Sequence, residues 1–267
     1  MFKRIFSKRN RILVRELVRT DFKLRYQGSV LGYTWSLLRP LLLFVILYVV
    51  FVKFLKVGNG IPHYPVYLLL GMVMWNFFLE MTMMSLGSIV GRGDLIRKIS
   101  IPRWIIVFSS SLSAVINFLL NLVIIAIFMI FNHVAISWSI LYLPLIFFEV
   151  YVFGLGISFF LSAAFVKFRD INYIWEVVLQ AGFYITPVLY PLSRITNHTY
   201  QKLMILNPMA QAMQDARYNA ITHQSITNGA LFKDGYYMFI PFLIVGLVLA
   251  IGAYYFKKNS KNFAEEI

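Results

Sequence analysis

The sequence contains no cysteine and only 11 acidic residues in 267. Without thiols there is no disulfide framework, no thiolate metal site and no cysteine nucleophile. Charge is scarce altogether: Asp, Glu, Lys and Arg make up 13% of the chain, about half the share in a soluble domain. Glycine and proline number only 15 and 9, which excludes collagen-like and low-complexity chains. What remains is apolar. Hydrophobic residues make up 60% and aromatics 17%, including 25 Phe and 16 Tyr. That is too much apolar surface for an ordinary soluble protein, and enough for six spans of ~20 residues with some left for loops.

The net charge of +14 would first suggest nucleic acid in a soluble protein. In a polytopic membrane protein, Lys and Arg instead collect on the cytoplasmic side, so no nucleic acid partner is expected. Nine basic residues precede position 26, and Lys8, Arg11, Arg15, Arg19 and Lys23 recur at helical spacing along one ridge. Leu13, Val14, Leu17, Val18 and Phe22 form the opposite stripe. This two-faced pattern predicts an amphipathic helix at an anionic membrane surface. The first 30 residues are too long and too charged for the n-region of a signal peptide.

Six apolar segments follow, at Tyr33–Phe54, Val66–Leu86, Trp104–Phe131, Ile140–Phe165, Tyr173–Tyr190 and Tyr236–Phe256. Each is near the length needed to cross a bilayer. The fifth is short, holds Glu176 and Gln180, and ends at Pro187 and Pro191; if it were re-entrant, the C-terminus would change sides. Charge arbitrates. With the N-terminus inside, the inner pieces carry eighteen Lys and Arg and the outer pieces six, which favours six spans with both termini cytoplasmic. The expected architecture is an all-α polytopic membrane protein, with residues 1–30 as an interfacial helix and turn, and 31–267 as a six-span domain. Its outer loop, about 192–235, contains Asn207-Pro208 followed by Met209, Ala212, Met213, Ala216 and Ala220 at helical spacing. An N-cap residue followed by proline predicts a helix start, and hence an external helical hairpin in or dipping into the outer interface.

Chemical motifs are few. No phosphate loop of the form G-x-x-x-x-G-K-[ST] is present, and Gly91-Arg92-Gly93 and Gly154-Leu155-Gly156 lack the third glycine and the strand of a dinucleotide site. His63, His133, His198 and His223 have no metal-ligand spacing, so no metal and no catalytic residue is expected in this chain. Glu80 and Glu149 fall inside spans two and four. Intramembrane carboxylates are costly and would suit a proton relay, but no Lys, His or second carboxylate lies near either in sequence, which favours interhelical hydrogen bonding. Ser110, Ser113, Asn117 and Asn121 line one face of span three, and Gly154, Ser158 and Ser162 recur every four residues in span four. Such rows let helices approach closely in lipid; a polar pore lining is the rival reading for the two asparagines.

The inner loop between spans two and three places Arg92, Asp94, Arg97, Lys98 and Arg103 among Leu95, Ile96, Ile99 and Ile101, with Pro102 before the next span. A topological loop does not need these aliphatics. A short amphipathic helix docking into a soluble partner does.

Asp21-Phe-Lys-Leu-Arg-Tyr26, Ser29-Val-Leu-Gly-Tyr-Thr-Trp35 and Leu38-Arg-Pro40 resemble the start of ABC-2 type permeases that export O-antigen, capsule or teichoic acid polysaccharides. Arg97-Lys-Ile-Ser-Ile-Pro-Arg103 resembles that family's loop before the third span, and Phe168-Arg-Asp-Ile171 its loop before the fifth. Tyr184-Ile-Thr-Pro-Val-Leu-Tyr190 with Leu206-Asn-Pro208 is similar to its outer segment. These matches cover nearly the whole chain in order.

The resemblance implies a homodimeric permease in the bacterial cytoplasmic membrane that pairs with two copies of a separate ATPase subunit, which binds ATP and Mg. Its substrate is implied to be an undecaprenyl-diphosphate-linked polysaccharide. Residues 92–103 would couple to the ATPase, with Arg169 and Asp170 as a second inner contact. Leu31-Gly32 would form the inlet turn for the lipid-linked substrate, and Asn207 and Pro208 the outer gate. Lys23, Arg25 and Arg39 flank that turn and suit diphosphate oxygens. Tyr33, Trp35, Trp75, Phe77, Phe78, Phe183, Tyr184 and Tyr190 are candidates to line a sugar channel; as an interfacial belt or lipid-facing residues they would have an ordinary structural role. Export of a drug or other lipid by the same fold is the first alternative, and an ion-coupled secondary transporter using Glu80 or Glu149 the second. A membrane transferase would need paired catalytic acids in a loop, which the sequence lacks.

Overall fold

The computed structural model describes residues 7–26, 28, 32–58, 60–98, 101–232 and 235–266. Leu31 and Ile99 lie outside the described residues, as do the side chains of Arg25 and Tyr33. The described residues form helices joined by turns, with no strand among them.

The amphipathic stripe folds as predicted into α1 (Lys8–Tyr26). Its apolar residues Leu13, Val14, Leu17, Val18 and Phe22 are half-buried, whereas Arg11, Arg15, Arg19 and Lys23 are exposed. Gly28, at φ +79°, and Gly32, at φ +47°, follow, each in a left-handed backbone region that glycine adopts without a Cβ penalty. Then come α2 (Trp35–Tyr48), which continues as a π-helical run Val49–Phe54, α3 (Tyr64–Leu86), the short α4 (Gly93–Lys98), α5 (Trp104–Phe131), α6 (Leu143–Lys167) and α7 (Ile171–Ile185). The outer loop supplies α8 (His198–Ile205), α9 (Pro208–Ala220) and α10 (Asn228–Leu231). The chain closes with α11 (Ile240–Asn259) and α12 (Phe263–Glu266).

Proline sets several of these starts. Pro65, Pro144, Pro208 and Pro241 sit in the first turns of α3, α6, α9 and α11, where a missing N–H costs nothing. Helix α3 is apolar around most of its circumference and, accordingly, buried over most of it, with Asn76, Leu79 and Glu80 among the exceptions. It is the axis of the bundle, with α5 and α6 packed along it and α1 packed along α5. Trp75, Phe78, Phe153 and Phe183 fill one side of its core, and Phe77, Phe118 and Phe147 another.

Among the described residues, five helices are long and apolar enough to cross a membrane: Trp35–Phe54, Tyr64–Leu86, Trp104–Phe131, Trp138–Lys167 and Tyr237–Asn259. The fifth predicted segment contributes only the 15-residue α7. The residue before a proline is pushed out of the helical region, and Thr186, before Pro187, is extended at ψ 136°. Yet the segment runs antiparallel to the whole of α3. Trp175 Nε1 donates to Thr82 Oγ1 (3.0 Å), Phe183 meets Trp75 edge-on at 6.1 Å, and the Tyr64 hydroxyl donates to the Leu189 carbonyl (2.5 Å). The contact on α3 moves from its C-terminal turns to its first residue as the fifth segment proceeds. Residues 186 to 190 continue beyond α7 as turns and bends, with Thr186 and Pro191 extended.

One end of the bundle gathers the basic loops. Ile89, Ile96, Ile106, Ala163, Val166, Phe256 and Phe263 form a second apolar cluster there. It fastens the α3–α5 connection, the end of α6 and the end of α11 together.

Candidate functional site

A cavity of about 860 Å³ lies between α2, α3, α5 and α7. Of the predicted channel aromatics, Trp35, Trp75, Phe77, Phe183 and Tyr184 line it. Phe78 instead stacks on Phe153 at 5.6 Å and meets Trp175 edge-on. The Tyr190 hydroxyl donates to the carbonyls of Tyr184 (2.9 Å) and Ile185 (3.3 Å), bracing the break after α7. One copy of the chain does not close the cavity, since Trp35 and Tyr184 in its wall remain 45% and 68% exposed.

The cavity is not purely aromatic. Asn76 and Glu80, one turn apart on α3, face it together with Asn117 and Asn121, one turn apart on α5. Asn117 Nδ2 donates to Glu80 Oε1 at 2.5 Å, and Asn121 Nδ2 to the Asn117 carbonyl at 2.8 Å. Glu80 is thus both an interhelical hydrogen-bond acceptor and part of a cavity wall. Arg39, from the second turn of α2, and Glu176, from α7, add charges of opposite sign to the same walls. Lys23 is exposed on α1, and Gly32 begins the turn that leads into α2.

At the basic end, the predicted coupling loop divides in two. Arg92 is turned inward: its guanidinium pairs with Asp21 of α1 and donates to Ser110 Oγ (3.3 Å) on α5. Arg103 donates to the Ser260 carbonyl beyond α11, Pro102 is half-buried, and Ile96 is buried in the second apolar cluster. Asp94, Arg97 and Lys98 are exposed on α4, and Leu95 is half-exposed. Phe168, Arg169 and Asp170 are exposed between α6 and α7, with the Arg169 guanidinium 5.1 Å from the Phe165 ring.

The outer hairpin starts where Asn207 and Pro208 place it. Asn207 Oδ1 accepts from Met209 N at 3.0 Å, and its Nδ2 donates to Thr186 Oγ1 at 3.2 Å, tying the head of α9 to the end of α7. Met209, Ala212, Met213, Ala216 and Ala220 are buried as their spacing predicts. The hairpin does more than rest on the surface: α9 packs against both α3 and α6. Burial pushes the Asp215 carboxyl up, against hydrogen bonds from Gln211 (2.6 Å) and the Asn228 backbone that lower it.

Sequence reasoning counted Arg217 among the outer loop charges and missed its role. It is fully buried, with its guanidinium 3.7 Å from the Tyr67 ring, and it donates to the carbonyls of Tyr67 (3.2 Å), Pro187 (2.6 Å) and Val188 (2.6 Å). A signal was available: Arg217 lies four residues after Met213 and three before Ala220, on the apolar face of α9.

Comparison with known proteins agrees with this architecture. The O-antigen export system permease protein RfbA of Myxococcus xanthus is 31% identical over 216 residues, 79% of this chain and 80% of that protein. Two proteins of the same name from Klebsiella pneumoniae are 30% and 31% identical over 246 residues, covering 92% of this chain and 91% of each. Residues 12–221 match the ABC-2 type transporter family, and the chain belongs to that family as a multi-pass protein of the bacterial inner membrane.

Proposed function

We propose that this chain is the transmembrane subunit of an ATP-driven exporter that moves undecaprenyl-diphosphate-linked polysaccharide, of the O-antigen class named for its relatives, to the outer face of the membrane. The observation that carries this reading is the cavity between α2, α3, α5 and α7, where flat rings alternate with amide and carboxylate groups. Rings accept the apolar faces of sugars without demanding one hydrogen-bond pattern, and polar groups between them meet hydroxyls. Arg39 at the same wall supplies a cation for a diphosphate.

Two copies act together, because one copy leaves the cavity open at its Trp35 and Tyr184 walls. The exposed face of α4 and the Phe168-Arg169-Asp170 corner at the basic end offer mixed apolar and charged surface to two copies of a cytoplasmic ATPase, which supplies ATP and Mg binding. The fifth segment, antiparallel to α3 throughout, crosses as well, which makes six crossings and brings both termini to the inner side. Purification with a phosphate-loop ATPase, in lipid nanodiscs, tests the reading: addition of glycan-bearing undecaprenyl diphosphate should raise ATP turnover severalfold. Transport of the same glycan by the chain alone, driven by an ion gradient, overturns it.

A further inference from the structure

We infer that Asn76, Glu80, Asn117 and Asn121 form a station that binds sugar hydroxyls, so that this chain discriminates the glycan itself and not only its lipid carrier. The inference rests on the export reading above and assigns the polar groups of the same cavity. Its starting point is an imbalance. The Oδ1 atoms of Asn117 and Asn121 are buried, and neither has a hydrogen-bond partner; the two residues are only 2% and 8% exposed. The amide orientations are dictated by their surroundings. Asn117 must turn its Nδ2 toward Glu80, which when ionised only accepts, and Asn121 turns its Nδ2 toward the Asn117 carbonyl. In both cases the oxygen is left over.

Leaving a buried acceptor orphaned is costly, and two of them one turn apart are a standing demand for donors. Glu80 adds another acceptor-only group beside them. The matching ligand carries several O–H donors a few ångströms apart. Asn76, one turn from Glu80 on the same face, can donate as well as accept, which suits hydroxyls that do both. Phe183, half-buried in the same wall with Trp75 packed edge-on to it, presents apolar surface to the C–H face of a sugar ring. A cation is the other ligand that acceptors attract, but among the described residues no three His, Cys, Asp or Glu side chains gather to hold one. The lipid carrier offers phosphate oxygens, which are acceptors and would be repelled by this arrangement. The station therefore recognises the neutral hydroxylated part of the substrate.

The test uses the complete complex of this chain and its ATPase in nanodiscs, with ATP turnover titrated by two probes: glycan-bearing carrier isolated from the host membrane, and undecaprenyl diphosphate without sugar. In the unaltered complex the glycan-bearing carrier half-saturates at the lower concentration. Glu80→Ala and Asn117→Ala should each shrink the ratio between the two affinities about tenfold, the loss of one strong hydrogen bond. Glu80→Gln, which keeps an acceptor oxygen, should stay within about threefold of the unaltered ratio, whereas a proton-carrying role would be lost with the carboxyl. Because the two alanine variants also remove the bond between α3 and α5, Asn76→Ala provides a comparison that leaves this bond in place, with about a fivefold loss expected. Unchanged ratios in Asn76→Ala and Glu80→Ala overturn the station while leaving the export reading intact. If neither probe stimulates the unaltered complex, the export reading falls and the station with it.

Discussion

Arg217 shows how one side chain can hold a helix break together. Where the chain leaves α7 through Thr186 and Pro187, backbone carbonyls lose their helical partners, and in an apolar bundle they have no water to turn to. The guanidinium fork answers the carbonyls of Pro187 and Val188 from one side and Tyr67 from the other, while its plane lies over the Tyr67 ring. Gly71 makes room, since a Cβ there would come 2.2 Å from Arg217 Nη2. Lysine cannot replace this fork, because a single ammonium lacks the planar spread of donors. Arg217→Met should destabilise the protein by at least about 2 kcal/mol by orphaning buried acceptors, with Arg217→Lys intermediate. Thermal denaturation in detergent checks the order, and an unchanged Tm in Arg217→Met would show that the carbonyls find other donors. A charge on an apolar helix face was the visible clue in the sequence. Its partners were not visible, because they sit 29, 30 and 150 residues away.

At the level of helices, the periodic pattern located the elements well because prolines and loop charges punctuate the chain. Trp104–Phe131 is a helix over the span its pattern predicts, and Asn207 with Pro208 starts α9 as a cap and first-turn pair. Helix contacts were harder to assign. The row Gly154, Ser158 and Ser162 suggested the closest approach. Gly154 does face Met81 of α3, and Ser158 Oγ points at the Met81 carbonyl at 3.5 Å. The tightest crossing, however, is on the opposite face, where a Cβ on Gly252 of α11 would lie 2.0 Å from the Gly156 carbonyl oxygen. Two isolated glycines in different helices make no row, so spacing within one helix could not reveal them. Gly252→Ala should therefore force α6 and α11 apart and cost about 1–3 kcal/mol. Gly246→Ala, on the same helix with nothing within 4 Å of its added Cβ, serves as the control and should leave Tm within about a degree of the parent or raise it slightly through helix propensity. Equal effects of the two substitutions would mean that the crossing relaxes without strain.

At the scale of the whole molecule, the fold ties the sidedness of the chain to the fifth segment. Phe256 and Phe263 pack with Ile96, Ile106 and Val166, so the C-terminal end of α11 and the loop before α5 lie at the same end of the bundle. That arrangement takes the chain from one end of the bundle to the other between Lys167 and Leu189, although α7 alone has only 15 residues. The absence of native cysteine makes this directly measurable, because a single introduced thiol is the only target for a maleimide. Lys98→Cys on α4 and Lys261→Cys before α12 both replace exposed side chains at the basic end, and Gln224→Cys replaces an exposed one in the outer loop. A membrane-impermeant maleimide added to intact spheroplasts should label Gln224→Cys and spare the other two until the cells are lysed, as expected when the basic end faces the cytoplasm. Labelling of Lys261→Cys in intact cells while Lys98→Cys stays protected would place the two on opposite sides of the bilayer. The fifth segment would then turn back without crossing, and the aromatic cluster that joins Phe256 and Phe263 to Ile96 could not exist in the membrane.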